Sequence, residues 1–308
     1  MHNLFSIAEL DPGHLTSLVN RCADLGNGEL DNIPRCFFGR SVGLYFERVS
    51  TRTRTSFAVA ANRLGGNVVA YAPGELQIAT GETLSDTGMV LSLYLAALVV
   101  RTHTQGTLRA LASNATIPII NALTEEEHPT QAIADLATIK REFGSIEGRH
   151  LLFVGEGHNI AASLALALAC YRGVTISLAS PENFGLPRQT IEAIRKRSLA
   201  SHATLNIINS LSDLPDNVDV VYTTRWQSMG QEKSPPTWRS FFDPYRVDLA
   251  FMKRVGGRDC IFMHDLPAQR GAEVADDVLD GPASRVLDQS RNKLRSAIAA
   301  LEWCVESA

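Results

Sequence analysis

The chain is poor in cysteine, and none of its cysteines are paired in sequence. The five (Cys22, Cys36, Cys170, Cys260 and Cys304) are odd in number, widely spaced and form no CxxC pair, which argues against a disulfide framework or a structural zinc site. It also lacks an excess of one charge. The formal net charge is -4, so nothing marks the whole chain as a binder of nucleic acid or of a membrane surface. Long apolar runs are missing too. The longest, MVLSLYLAALVV near residues 89 to 100, is too short and in places too polar for a membrane span. The start, MHNLFSIAELDPGHL, has no basic stretch followed by a long apolar one, so no signal peptide is read there and the expected location is the cytoplasm. No solenoid-period repeat or low-complexity tract appears.

What is present is an ordinary globular composition. The 308 residues are 45% hydrophobic and 20% charged, enough for a sizeable core in one large or two medium domains. Strand-like and helix-like stretches alternate. SVGLYF, NVVAYA, AALVVR and IPIINA read as strands; TRTSFAVAANRLGG, ETLSDTGMVLSLYL and the AIADLATIKREFG run after HPTQ read as helices. A second series begins at RHLLFVGEG, with NIAASLALALACYRG and PRQTIEAIRKRSLA as helices and VTISLAS, TLNIINS, VDVVYTT and DCIFMHD as strands. This alternation predicts an α/β fold of two doubly wound parallel-sheet domains, joined near residues 123 to 150. A last helix, about 285 to 305, fits either domain. In open α/β sheets ligands bind beyond the carboxyl ends of the strands. That rule singles out the segments after Phe46, Arg101, Ala122, Val154, Tyr222 and Met263.

One of those segments is FERVSTRTRTSF, residues 46 to 57. Ser50, Thr51, Arg52 and Thr53 stand at a strand-to-helix junction, where the first helical turn offers unpaired N–H groups and a positive dipole end. Hydroxyls and an arginine beside them make a phosphate or carboxylate cradle without a glycine loop. An ordinary Ser/Thr helix cap with solvated arginines fits the same residues. Elsewhere Gly155-Glu156-Gly157 follows a strand, but the third position of a dinucleotide fingerprint is Ile160, and a partial GxGxxG is weak evidence.

STRTR followed by HPTQ resembles the aspartate/ornithine carbamoyltransferase family. The likeness continues in order through LQIATGETLSDT, the Arg101 strand end, TEEEHPTQAIADL, FVGEGHNIAASL, VYTTRWQSMGQE, HDLPAQRG, EVADDVL and LDQSRNKL. The resemblance implies a carbamoyl-phosphate domain over residues 1 to 130 plus about 285 to 308, where the last helix returns, and an acceptor amino-acid domain over 131 to 284. It implies a homotrimer with shared active sites, and neither a metal nor an organic cofactor. Ser50, Thr51, Arg52 and Thr53 would hold the phosphate. Arg101, His128 and Gln131 would surround the carbamoyl group, with Leu266 and Lys293 also on the carbamoyl-phosphate side, and Gln77 would reach a neighbouring subunit's site. Arg101, His128, Arg52 and Thr53 would do the catalysis, with Arg101, His128 and Thr53 as donors at the developing oxyanion, the usual large term, and Arg52 balancing the departing phosphate. Gln131 shares a helical face with His128.

The acceptor is read from the second half. Asn159 and the Ser228-Met229-Gly230 loop match the ornithine branch, where they contact the acceptor, and Thr80-Gly81-Glu82-Thr83 lacks the lysine of the aspartate branch. Four departures stand out. Thr224 replaces the aspartate that pairs with the acceptor ammonium. Arg225 makes TRWQ look like an aspartate-type TRxQ, whose arginine binds a carboxylate. Asp265 replaces the cysteine of HCLP, and Lys293 replaces an arginine, losing the planar fork. A rearranged pocket, with Asp265 on an ammonium and Arg225 on a carboxylate, accounts for three of them. It would serve a shorter diamino acid, an N-modified ornithine or aspartate. A noncatalytic paralogue with a structural or regulatory role is the reading from a different class.

Overall fold

The computed structural model describes residues 2–27, 30, 33–227, 233 and 237–306. The chain divides into two compact units, Met1–Ala137 with Arg291–Ala308, and Thr138–Ser290.

In the first unit, α1 (Pro12–Asp24) precedes β1 (Ser41–Phe46), α2 (Arg52–Arg63), β2 (Asn67–Tyr71), α3 (Leu84–Leu91), β3 (Ala97–Arg101), α4 (Gln105–Ala112) and β4 (Ile119–Leu123). All pairings are parallel, in the order β2-β1-β3-β4. The three inner or core-facing strands β1, β3 and β4 are buried along nearly their whole length, whereas the edge strand β2 is largely exposed. Burial on both faces is what turns a parallel strand into a continuous apolar run. The chain builds β2 on one side of β1 and then returns to build β3 on the other. The carboxyl ends of β1 and β3 therefore form the sheet's switch point. At Gly88 in α3 a Cβ would lie 1.9 Å from the Leu111 carbonyl oxygen, so α3 and α4 meet backbone to backbone.

Helices α5 (Pro129–Phe143) and α11 (Val286–Val305) contain the divisions between the units. The second unit holds β5 (His150–Val154), α6 (Asn159–Leu168), β6 (Thr175–Ala179), α7 (Arg188–Ser201), β7 (Thr204–Ile208) and β8 (Val218–Thr223). After these come α8 (Trp238–Phe242), α9 (Leu249–Val255), β9 (Gly256–His264) and α10 (Asp276–Leu279). Its parallel sheet runs β7-β6-β5-β8-β9, which puts the switch point between β5 and β8. The α6 run NIAASLALAL is buried at every residue from Ile160 to Leu168, and β5 and β8 are buried beside it.

The structure corrects one predicted element. The helix expected through ETLSDTGMVLSLYL ends at Leu91, where the Ser92 hydroxyl donates to the Gly88 carbonyl at 2.7 Å and residues 92–94 turn away. The apolar stretch near 89 to 100 is consequently half surface. Leu93 and Tyr94 are 76% and 72% exposed, and Met89 and Val90 are exposed as well, while 97–100 form the buried core of β3.

Candidate active site

In the first unit the β1–β3 register sets Phe46 beside Arg101, and the Glu47 amide donates to the Arg101 carbonyl at 3.0 Å. The segment leaving β1 is thus fastened to the end of β3. Glu47 is fixed in turn, accepting from Tyr45 Oη at 2.9 Å and from the Thr102 hydroxyl. From this anchor the chain passes Ser50 and Thr51 and enters α2 at Arg52. Thr51 occupies the cap position with helical backbone angles (φ -78°, ψ -63°) and its side chain makes no capping bond. The plain helix-cap alternative therefore does not describe Thr51, and the first-turn N–H groups are not satisfied by it. Thr53 is buried, Arg52 is partly buried and Arg54 is exposed.

His128 is buried just before α5, and the other predicted carbamoyl-side residues gather on it. Lys293 Nζ in α11 lies 3.3 Å from His128 Nε2 and donates to Gln131 Oε1. Gln131 Nε2 donates to Asp135 Oδ1 at 2.8 Å. Burial first, then the positive charges of Lys293 and Arg101, hold the His128 pKa well below the ordinary 6.5. The ring is neutral at physiological pH. The residue before it, Glu127, is a buried carboxylate that accepts from the Ile7 amide at 2.8 Å and from the Ser6 hydroxyl. Arg101, His128, Gln131 and Lys293 are thus brought together. Gln77 is not. It is exposed on a short turn, Gln77–Thr80, and its amide oxygen accepts from Thr80 Oγ1 at 2.7 Å.

In the second unit the predicted residues cluster at the carboxyl ends of β5, β8 and β9. Asn159 opens α6 beneath the cap His158, whose Nδ1 accepts from the Ile160 amide at 3.2 Å. Thr224, buried just past β8, donates its hydroxyl to Asp265 Oδ1 at 2.7 Å. Among the described residues, the other Asp265 oxygen receives no hydrogen bond from the protein, and the side chain is 17% exposed. Arg225 adjoins Thr224, with a buried Nε that has no hydrogen-bond partner among the described residues. Leu266 sits in the left-handed region at φ +57°, and its amide donates to His264 Nδ1 at 2.8 Å. That bond leaves the His264 proton on Nε2, which faces Glu273 Oε1 at 3.2 Å. His264 Nδ1 is therefore an acceptor, and its 3.7 Å approach to Asp265 is not an ion pair. Ser228 and Met229 lie outside the described residues.

Sequence reasoning did not find Glu127, Asp135, or the pair formed by Glu156 and Lys233. Lys233 Nζ is 2.6 Å from Glu156 Oε2 and 4.7 Å from the ring centroids of both Trp238 and Phe242. Burial lowers its pKa against the opposing pull of Glu156. No short-range signal marks any of these. Each is an isolated charged residue whose partner is distant in sequence or, for Asp135, one helical turn away. The Gly155-Glu156-Gly157 turn also gains an explanation. The Gly157 amide donates to the Phe184 carbonyl at 2.7 Å, and a Cβ on Gly157 would lie 2.3 Å from the Leu186 nitrogen. Residues 184–186 pass across this glycine, where a dinucleotide-binding turn leaves room for pyrophosphate. Among the described residues no group of His, Cys, Asp and Glu side chains has metal-binding geometry.

Chemically, the first unit presents a cationic, hydroxyl-rich strand end beside a neutral imidazole. The second presents a guanidinium and a carboxylate beyond the carboxyl ends of β8 and β9. Residues 2–141 match the family model of the aspartate/ornithine carbamoyltransferase carbamoyl-P binding domain, and residues 147–304 match that of the Asp/Orn binding domain. A curated relative from Caldicellulosiruptor saccharolyticus, named ornithine carbamoyltransferase, is 36% identical over 301 residues, covering 96% of each chain. One of the same name from Gloeobacter violaceus is 38% identical over 302 residues, covering 97% of this chain and 94% of its own. Among solved structures, the ornithine carbamoyltransferase from Pyrococcus furiosus superposes with a TM-score of 0.91 at 34% identity, covering 97% of this chain and 96% of its own. An anabolic ornithine carbamoyltransferase from Campylobacter jejuni superposes with a TM-score of 0.90 at 29% identity, covering 99% of both.

Proposed function

The chain belongs to the aspartate/ornithine carbamoyltransferase family, and from that premise we propose that it transfers the carbamoyl group of carbamoyl phosphate to the amine of an ornithine-like amino acid, releasing phosphate. The observation that carries the reading is the convergence of Lys293, Gln131 and Arg101 on a buried neutral His128. A structural remnant would have no need to keep two cations and an imidazole together in a buried place, because burying charge is costly.

In this proposal Ser50, Thr51, Arg52 and Thr53 hold the phosphate, with the N–H groups of the first turn of α2. The acceptor amine loses a proton, since a free alkylammonium has a pKa of about 10, and attacks the carbamoyl carbon. Negative charge develops on the carbamoyl oxygen. Arg101, Thr53 and His128 donate to it, and because His128 is neutral it acts as a donor without adding a charge of its own. The bond from carbon to the phosphate oxygen then breaks. Phosphate departs with its charge balanced by Arg52 and takes up the proton left on the attacking nitrogen, the first proton having gone to solvent before the attack. No step requires a metal or an organic cofactor.

The relatives are named for ornithine, and ornithine is the acceptor of first choice. A second reading, a rearranged acceptor pocket, is favoured by one contact. Thr224 stands where the ornithine pattern has an aspartate, and its hydroxyl holds Asp265. A carboxylate absent at 224 is thereby supplied from 265, one strand over, with Arg225 beside it for a carboxylate. Asn159, Ser228 and Met229 complete the acceptor set in this proposal, and Leu266 joins the carbamoyl-phosphate set. A homotrimer is also proposed. The exposed apolar residues Met89, Val90, Leu93 and Tyr94 give a second copy a surface to cover, and Gln77, exposed in the same unit, would serve a neighbour's site.

The test is phosphate release from carbamoyl phosphate against a panel of amines, with products read by mass. The panel holds ornithine, its N-acyl forms, shorter diamino acids, lysine, putrescine and aspartate. Turnover with ornithine supports the first reading, and turnover confined to another amine supports the second. Absence of turnover while carbamoyl phosphate still binds would count against catalysis and favour the noncatalytic paralogue.

A further inference from the structure

Lys293 is 6% exposed and lies 3.3 Å from His128 Nε2. An ammonium has three N–H donors and no lone pair. A ring nitrogen facing it must therefore accept, so the single proton of a neutral imidazole is placed on Nδ1. A buried ammonium needs compensation, and α5 supplies it in relay. Lys293 donates to Gln131 Oε1, and Gln131 Nε2 donates to Asp135 Oδ1 at 2.8 Å, with Asp135 fully buried. The relay also settles the Gln131 amide, whose oxygen must face the cation and whose nitrogen must face the carboxylate. The charged groups acting on His128 are Lys293 from α11 and Arg101 from β3. Asp135 acts one amide further off.

From this arrangement we propose that Lys293 is a positioning residue, which by donating to Nε2 fixes His128 in the Nδ1–H tautomer and so decides which ring nitrogen donates during carbamoyl transfer. Burial and the two cations keep the ring neutral, so the tautomer is the only protonation choice left to it. The inference rests on the carbamoyl-transfer reading for its catalytic meaning, while the tautomer itself is a property of the resting protein. An ammonium is a compact cation without a planar fork, suited to bridging an imidazole nitrogen and an amide oxygen.

The experiment is a long-range 1H–15N correlation spectrum of the full-length protein labelled with [15N]histidine, the His128 signals being assigned by their loss in His128→Asn. The expected pattern is a protonated Nδ1 and an unprotonated Nε2. Lys293→Met should lose that pattern, and Lys293→Arg, which keeps a donor, should retain it. A wild-type ring with its proton on Nε2 would overturn the proposal, even if no variant folds. So would an unchanged Nδ1–H pattern in a folded Lys293→Met. In the kinetic arm, Lys293→Met should lower kcat with little change in KM for the amine. The loss should stay below the roughly 100- to 1000-fold that removal of an oxyanion donor costs, and Lys293→Arg should recover part of it. A protein with no turnover would defeat the functional reading and leave the spectrum to decide the tautomer.

Discussion

Replacing Asp265 with asparagine keeps the shape of the side chain and removes its charge. In the folded protein one oxygen takes the Thr224 hydroxyl at 2.7 Å, and the other receives no bond among the described residues. The side chain is 17% exposed, partly dehydrated yet open to a small ligand. A hydrogen bond from an ammonium to such a carboxylate contributes about 1.5–3 kcal/mol, so Asp265→Asn should raise KM for the amine roughly 10- to 150-fold. KM for carbamoyl phosphate should stay within about twofold, because the substituted charge sits on the acceptor side of the proposed chemistry. Thr224→Val, which removes only the hydroxyl that orients Asp265, should cost about 1 kcal/mol, near fivefold. The assay is steady-state phosphate release with the amine varied at saturating carbamoyl phosphate. An amine KM unchanged in Asp265→Asn would refute the assignment of Asp265 to the acceptor's ammonium.

Three further outcomes follow from the same structure. Glu127→Ala leaves the buried Ile7 amide and Ser6 hydroxyl without their acceptor, and urea unfolding should register a loss of about 1–3 kcal/mol for each donor; a loss under about 1 kcal/mol in total would contradict that role. The unfolded chain takes a proton on His128 near pH 6.5 while the folded chain resists it. Stability is therefore full above that pH and falls below it, by about 1.4 kcal/mol per pH unit for this histidine; His128→Asn should flatten the decline between pH 6.5 and 5, and an unchanged slope would count against a depressed pKa. Leu93→Asp with Tyr94→Asp should cut the sedimenting mass to that of one chain, and an unaltered assembly would remove this patch from the interface.

The central strands were legible because parallel strands buried on both faces must be apolar throughout, as SVGLYF and HLLFV are. The helix read through residues 82 to 95 overran because Leu93 and Tyr94 continue the apolar pattern while lying on the surface. Helix α1 carries its start signals in the sequence. Asp11 accepts from the amides of Gly13 and His14, and a proline follows it in the first turn. At the site, the strand-end rule reached Arg101 and the STRTR segment from sequence order alone. The meeting of Lys293 with His128, 165 positions apart, has no local signature and was legible only through the family resemblance. Glu127 and Asp135 were hidden for the opposite reason. They flank a recognised motif, but a carboxylate in sequence gives no sign that it is buried, and burial is what makes these two matter.

The central claim is that a carbamoyl group moves to an amine. Its most direct test uses carbamoyl phosphate labelled with 13C at the carbonyl carbon, followed by NMR with and without ornithine. The account predicts a new ureido carbon bonded to the amine nitrogen, formed at the rate of phosphate release and absent when the amine is left out. Label recovered only in bicarbonate or cyanate, at a rate indifferent to every amine supplied, would contradict it.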